Sequence, residues 1–341
     1  MPQHEITEKS DLLDEKGHLK QVGWARQLLL SYDKKKISAR WYRIKEWDYY
    51  AVLTPNYGFT LTVAELGILR LVAVVWLDFT KGTFHSAENS KLLSRGKTHM
   101  PSTSDEGDVV VKSKRTSVTL VRKTNIREIN VLFRNFQDKN DLEAHLVLSQ
   151  DPSNDTIVIA TPWAEKPKKF YYNQKINCMP ASGTVTIGSD QYNFDPEESF
   201  GVLDWGRGNW TYKNTWYWGS ASGKVGESLV GWNIGYGFSD RSKATENIVF
   251  YNGVGHKLDQ VEFCYNRKNY LEPWTITSND GRFEMNFTPI VDRNSVTNLL
   301  LFKSVQHQVF GIFSGFFILD DGQKIEVEHL LGFAEDVFNR W

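Results

Sequence analysis

Alternation of apolar and polar side chains is the feature that most restricts the fold of this 341-residue chain. Along Phe59–Ala64, large apolar residues alternate with threonine or alanine, which is the period of two typical of a half-buried β-strand. Similar patterns recur at residues 118–121, 129–133 and 157–159. The sequence therefore predicts a protein built mainly from β-strands.

Tight turns separate the alternating stretches in the second half of the chain. They are expected at Gly188–Ser189, Asp280–Gly281 and Asp321–Gly322. Asp-Gly pairs favour two-residue hairpins because both central residues can adopt positive φ. No alternation of strands with helices suggests a parallel sheet. We therefore expect antiparallel sheets that are closed or nearly closed, which protects their edges.

The number of predicted strands is too large for one ordinary open sheet, so we expect two lobes. Prolines interrupt the strand pattern between residues 161 and 182, which places the predicted lobes at residues 1–170 and 171–341. Short helices are expected at both ends, over residues 19–30 and 330–341. Apolar residues at three- and four-residue spacing in the last segment predict that Phe338 and Trp341 pack onto the body of the protein.

Charge and composition exclude several classes of protein. The chain has 40 basic and 41 acidic residues, and this balance argues against nucleic-acid binding. The first residues resemble no secretory signal, which predicts a cytoplasmic protein, and the apolar stretch at 66–77 is too short to span a membrane. Scattered histidines and two isolated cysteines predict no metal site, and no motif predicts a cofactor. The sequence does not indicate an oligomeric state.

Residues 204–237 hold five of the twelve tryptophans of the chain. They are Trp205, Trp210, Trp216, Trp218 and Trp232. Such a cluster needs either a large core or a ligand to cover it. Charged and amide side chains lie among these rings, and an unpaired buried charge is unfavourable in a plain core. The segment is therefore interpreted as the wall of a site for a small-molecule ligand.

Asp204 and Glu246 are the candidate catalytic carboxylates. A partly dry pocket would favour Asp204 as a proton donor, whereas pairing with Arg207 would favour the carboxylate. A purely structural pair with Arg207 is the alternative. Glu246 follows a predicted turn and could face Asp204 across a hairpin.

The candidate ligand-binding residues are mostly aromatic. Trp216 and Trp218 share one face if this stretch is a strand, so they could stack on a ligand or pack between lobes. Trp210 has the same two interpretations. Asn233, between glycines, suits a directional hydrogen bond to a ligand. The remaining candidates are Arg207 and His256.

Three blocks of sequence resemble one family. They lie at Leu12–Arg26, at Asp204–Trp218, and at Gly231–Gly237 followed by Thr245–Asn247. The chain is similar to the bacterial and fungal proteins of domain-of-unknown-function family 2804. This family is distantly similar to two-lobed lipocalin-like β-barrels, which include carotenoid hydratase-type enzymes and pericyclic cyclases.

The resemblance implies an all-β, lipocalin-like barrel or β-sandwich in two lobes. It also implies that Asp204 and Trp205 resemble a pair in which the acid protonates an alkene and the aromatic ring shields the resulting cation. Fold kinship alone does not establish an activity.

Three functions fit these residues. The first is acid–base chemistry, of the hydratase or isomerase type, on a largely apolar ligand. The second is carbohydrate chemistry that uses Asp204, Glu246 and tryptophan platforms. The third is a non-catalytic binding or structural module. For the first two, we expect Asp204, Glu246 and the polar and aromatic candidates to converge on one pocket.

Overall fold

A computed structural model describes residues 3–299 and 302–340 of the chain. It is 64% strand and 2% helix, far below the helix content of an average globular protein. Two 3₁₀ turns, Lys34–Lys36 and Trp41–Arg43, are the helical elements in these ranges. The prediction of an all-β protein with two curled antiparallel sheets is confirmed.

The first half of the chain forms strands whose bounds are β1 (Ser10–Asp11), β2 (Gly23–Ala25), β3 (Leu30–Ser31), β4 (Ile44–Leu53), β5 (Tyr57–Glu65), β6 (Leu69–Asp78), β7 (Thr83–Leu92), β8 (Val109–Lys112), β9 (Thr116–Lys123), β10 (Ile126–Gln137), β11 (Asn140–Ser149), β12 (Ile157–Trp163), β13 (Lys166–Ile187), β14 (Asp190–Phe194) and β15 (Phe200–Asn209). The later strands are β16 (Lys213–Val225), β17 (Ser228–Tyr236), β18 (Ile248–Tyr251), β19 (Val254–Lys257), β20 (Val261–Cys264), β21 (Trp274–Ser278), β22 (Phe283–Leu299), β23 (Phe302–Ile318) and β24 (Lys324–Arg340).

Two large sheets account for nearly all of these strands. The first has the order β7-β6-β5-β4-β15-β13-β11-β10-β9-β8, with β12 and β14 also paired to β13 and β2 paired to β12. The second has the order β19-β18-β17-β16-β24-β23-β22-β21-β20. Because β24 lies between β16 and β23, the last strand in chain order is central in its sheet. The three predicted hairpin turns join β13 to β14, β21 to β22 and β23 to β24.

The two terminal helices were predicted wrongly. Residues 19–30 contain strand β2 and the start of β3, and residues 330–340 belong to β24. Leu330 and Ala334 pack in the core of the second lobe, whereas Phe333 packs on the opposite face of β24. A strand that is buried on both faces shows no clear alternation, so its apolar residues can imitate helical spacing. Phe338 is half-buried, and Trp341 lies outside the described residues.

Three apolar layers result from this arrangement. One core fills the curl of the first sheet and another fills the curl of the second. A third layer lies between the outer faces of the two sheets and includes Trp210, Trp218, Phe310 and Phe333. The predicted lobe boundary at residue 170 falls inside β13. The chain passes from the first sheet to the second between Asn209 and Lys213. We therefore propose that the two lobes divide at this later point.

Gly206 on β15 lets the indole of Trp47 lie directly against the backbone. A Cβ atom at position 206 would come within 1.9 Å of that ring. We expect Gly206→Ala to lower the free energy of unfolding by about 1–3 kcal/mol, because the ring must move within a filled layer. Urea denaturation measures the change.

The Trp47→Leu background provides the matched test of this contact. A smaller side chain removes the overlap, so alanine at position 206 should then destabilise the protein much less. Strictly additive effects of the two substitutions would contradict the proposed origin of the strain.

Candidate functional site

Strand β15 directs Asp204 and Arg207 to opposite faces of the first sheet. Side chains alternate along a strand, so residues three positions apart cannot share a face. The Arg207 side chain is fully buried inside the first lobe, where it forms an ion pair with Asp48 at 3.0 Å and donates to the carbonyl of Pro101 at 2.9 Å. Its guanidinium also lies 4.2 Å from the ring centre of Trp205. The hypothesis of an Asp204–Arg207 pair is therefore wrong.

Lys175 and Asn173 on β13 are the partners of Asp204. The Lys175 ammonium lies 2.7 Å from one carboxylate oxygen, and the Asn173 amide donates to the other at 2.6 Å. Lys175 also lies 3.8 Å from the ring centre of Trp218 on the second sheet. This ion pair is almost completely buried between the sheets, where solvent screening is weak.

Trp218, which contacts the Lys175 partner of Asp204, is linked to Glu246 through hydrogen bonds of Asn233. The indole Nε1 of Trp218 donates to the side-chain oxygen of Asn233 at 2.6 Å. The Asn233 amide in turn donates to the backbone carbonyl of Glu246 at 2.8 Å. Burial raises the pKa of the Glu246 carboxyl, and the positive charge of Lys175 opposes that rise. The structure thus brings Asp204, Trp218, Asn233 and Glu246 into one layer.

Glu335 on β24 adds a third carboxyl group to this layer; it is buried, and the sequence reasoning missed it. Trp216 donates to one of its oxygens at 3.2 Å, and Gln308 donates to the other at 2.7 Å. The Gln308 amide also donates to the hydroxyl of Tyr49 at 2.8 Å. Burial raises the pKa of Glu335 to about 7. An acidic residue within the apolar run at 330–337 was the available signal.

Aromatic rings cover one side of these carboxyl groups. Phe238, in the loop between β17 and β18, makes edge contacts with Tyr171 and Trp210 at 4.8 Å and with Trp216 at 5.7 Å. Trp47 contacts Trp210 at 4.9 Å. Trp210, Trp216 and Trp218 therefore pack between the lobes, which the packing interpretation also predicted. Trp205 and Trp232 instead lie in the interior cores of the first and second lobes, respectively.

His256 lies apart from the other candidate site residues. It is on β19, near the edge of the second sheet, and its Nδ1 lies 3.3 Å from the carboxylate of Asp320. Arg282 binds the same carboxylate at 2.6 Å. The contacts of His256 thus belong to a separate cluster of charged residues.

An open cavity of about 730 Å³ lies beside the aromatic layer. Its walls include Trp163, Tyr212, Lys213 and Arg241, and Trp163 contacts Phe238 at 5.0 Å. Within the described ranges, the carboxyl groups of Asp204, Glu246 and Glu335 are not part of its lining. Phe238 therefore stands between the open cavity and the interior tryptophans.

The described residues contain no group of three or more potential ligands placed to hold a metal ion. In the same ranges, no helix has the length and apolar character needed to cross a membrane.

Comparison with known proteins supports the fold. The profile of Domain of unknown function (DUF2804) matches residues 3–341. A Nitrosomonas europaea protein provisionally assigned as AttH is 13% identical, with a TM-score of 0.56 over 90% of this chain and 96% of that one. Kievitone hydratase from Nectria haematococca is 13% identical, with a TM-score of 0.50 over 87% of this chain and 88% of that one. No curated protein matches the sequence.

Replacing Asp204 tests the energetic role of the buried ion pair. We expect Asp204→Asn to lower the free energy of unfolding by about 3–5 kcal/mol, because the buried Lys175 ammonium loses its partner. Asp141→Asn is the control, since its pair with Arg134 is exposed and should change stability by less than about 0.5 kcal/mol. If chemical denaturation showed the same loss in the free energy of unfolding for both substitutions, burial of the Asp204–Lys175 pair would not strengthen it.

The raised pKa of Glu335 predicts a pH dependence of stability. In the unfolded chain this carboxyl ionises near pH 4.5, but in the folded protein near pH 7. Its contribution to stability is therefore complete below pH 4.5 and is lost as the pH rises through about 7. Glu335→Gln should flatten this part of the stability curve, measured by denaturation at successive pH values. An unchanged slope would contradict the assignment.

Proposed function

Since this chain belongs to the DUF2804 family, whose name carries no activity, we propose a function from the geometry of its own residues. The protein binds a small, largely apolar molecule between its lobes and performs acid–base chemistry of the hydratase or isomerase type. The observation that carries this proposal is Glu335, a buried carboxyl group with a pKa of about 7 beside two tryptophans. A group with such a pKa can both donate and accept a proton at neutral pH.

Glu335 is the proton donor in this proposal. Protonation of an alkene carbon by Glu335 leaves a positive charge on the neighbouring carbon and a carboxylate on Glu335. The ring face of Trp216 stabilises such a cation. Placing a neutral acid and electron-rich rings together in a dry layer favours this step, because the charge that develops is not screened by water.

Asp204 accepts the second proton. Its contacts with Lys175 and Asn173 fix the orientation of its carboxyl group. In a hydration, water adds to the cation and its proton passes to Asp204. In an isomerisation, Asp204 removes a proton from the carbon next to the cation.

Access to these groups requires Phe238 to move. The open cavity ends at Trp163 and Arg241, and Phe238 fills the space behind them. Gly237 and Ser239 flank Phe238 with φ values of +92° and +58°, so the backbone there is already unlike a strand. We propose that an apolar ligand enters through the cavity and displaces this ring.

The burial of the carboxyl groups supports this function over carbohydrate chemistry. Glycoside hydrolysis uses two carboxyl groups across a cleft that admits a polar sugar ring. Here Asp204 lies within an ion pair between packed sheets, and its surroundings are mostly aromatic. An apolar substrate matches such a layer better than a sugar does.

Deuterium incorporation tests the proposed chemistry without knowledge of the natural substrate. A panel of trisubstituted alkenes, with kievitone included, is incubated with the protein in D₂O and analysed by mass spectrometry. Protonation begins both hydration and isomerisation, so we expect deuterium in at least one compound. Glu335→Gln should reduce its incorporation by about 10²–10⁴-fold, because the proton donor is lost.

Glu326→Gln is the control, because that side chain is exposed and its change should leave incorporation unaltered. Absence of deuterium from every compound, or equal rates in both variants, would contradict the proposal. Hydrolysis of aryl glycosides that is lost in Asp204→Asn would instead favour the carbohydrate-active alternative.

A further inference from the structure

Three turns lie together at one end of the first sheet. Strand register aligns Glu46 with Glu65 and Arg70 with Lys91, so the ends of β4, β5, β6 and β7 coincide. The backbone N–H of Leu93 donates to the carbonyl of Ile68 at 2.6 Å, which joins two of the turns directly. The third turn contains Trp41, and the backbone of the adjacent Tyr42 packs closely on Gly67.

Large apolar side chains project from these turns into solvent. The exposed fractions are 41% for Trp41, 50% for Ile68, 71% for Leu92 and 59% for Leu93. We call these four residues the tip surface. Single exposed apolar residues are common, but a group of four on adjoining turns indicates a surface that binds a membrane or another molecule.

Positive charge surrounds the tip surface. Residues 40–45, 66–70 and 91–97 contain no Asp or Glu, and the cations that are not buried there are Arg40, Arg43, Arg70, Lys91, Arg95 and Lys97. The nearest carboxylates along the strands, Glu46 and Glu65, are each 1% exposed. They are bound internally by Tyr32 and by Thr98, respectively. This end of the molecule is therefore basic, although the whole chain has a net charge of -1.

We propose that the tip surface docks on a membrane that contains anionic phospholipids. Leucine, isoleucine and tryptophan side chains enter the boundary between headgroups and acyl chains, while lysine and arginine side chains attract the anionic headgroups. The exposed aliphatic side chains distinguish this surface from a nucleic-acid site, where bases stack on aromatic rings or side chains contact base edges in the grooves. The partner is thus a lipid surface that the protein contacts without spanning it.

The mouth of the open cavity lies at the same end of the molecule. Strand β13 begins at Lys166, β15 ends at Asn209 and β16 begins at Lys213, and register places Asn209 opposite Ile44, at the start of β4. The cavity lining is of mixed charge, with Lys166, Lys213 and Arg241 beside Glu165 and Asp240, so the basic character of this end comes from the turns around the tip surface. If the proposed function is correct, a docked molecule could take an apolar ligand from the bilayer into the cavity. Membrane docking itself does not depend on that function.

Vesicle co-sedimentation of the full chain tests the proposal. The probes are phosphatidylcholine vesicles with and without about one-third phosphatidylserine. We expect binding to the anionic vesicles alone, weakened by added salt. The double variant Leu92→Ser/Leu93→Ser should bind at least about tenfold more weakly, because two inserting side chains are lost. Arg95→Glu/Lys97→Glu should also bind more weakly.

Val254→Ser/Leu271→Ser is the matched control, because both side chains are 52% exposed and lie on the second lobe. Its binding should equal that of the unchanged protein, and thermal melting should confirm that each variant is folded. Asp204→Asn, if folded under the assay conditions, should also bind normally, which separates docking from the proposed chemistry. Failure to bind anionic vesicles, equal losses in the control, or full binding by the double leucine variant would overturn the proposal.

Discussion

Lys175 is the buried charge around which the layer between the two sheets is arranged, because it binds Asp204 on its own sheet and contacts Trp218 on the other. The Lys175 ammonium and the Asp204 carboxylate are both buried, so each is stabilised by the opposite charge of the other. The ammonium also lies on the indole of Trp218 from the opposite sheet. Asp204, Glu246 and Glu335 place three carboxyl groups around this lysine. Burial is the main cause of the raised pKa of Glu335, and the positive charge of Lys175 opposes that rise only in part. The packing of the layer and the raised pKa of Glu335 thus have one physical origin.

Strand alternation determines which residues can share that layer. Even-numbered positions of β15 face the second sheet, and odd-numbered positions face the interior of the first lobe. Asp204 and Trp210 therefore meet Trp216 and Trp218, whereas Arg207 meets Asp48 on the other side of the sheet. The Trp-rich segment contributes to two different environments, although it is continuous in sequence.

Local patterns predicted the β architecture and the three hairpin turns, because alternation and Asp-Gly pairs act over a few residues. They also predicted one pocket for Asp204, Trp218, Asn233 and Glu246; these residues share the layer between the sheets, but none of them lines the open cavity. They failed for Arg207, since its partner Asp48 lies far away along the chain and no local signal shows the pairing. They failed for β24, because burial of both faces removes the alternation. Glu335 was missed for the same reason: its neighbours resembled a helix, so its orientation toward Trp216 could not be inferred.

The central position of β24 has a consequence for the order of folding during synthesis. Its neighbours β16 and β23 are made earlier, and neither can pair with it until it leaves the ribosome. Until then, a long edge of each strand exposes unpaired backbone groups and apolar side chains to other chains. The first sheet, by contrast, contains only strands that end by Asn209 and can form beforehand. The second lobe is therefore the part of this protein whose strand edges stay unpaired longest during synthesis.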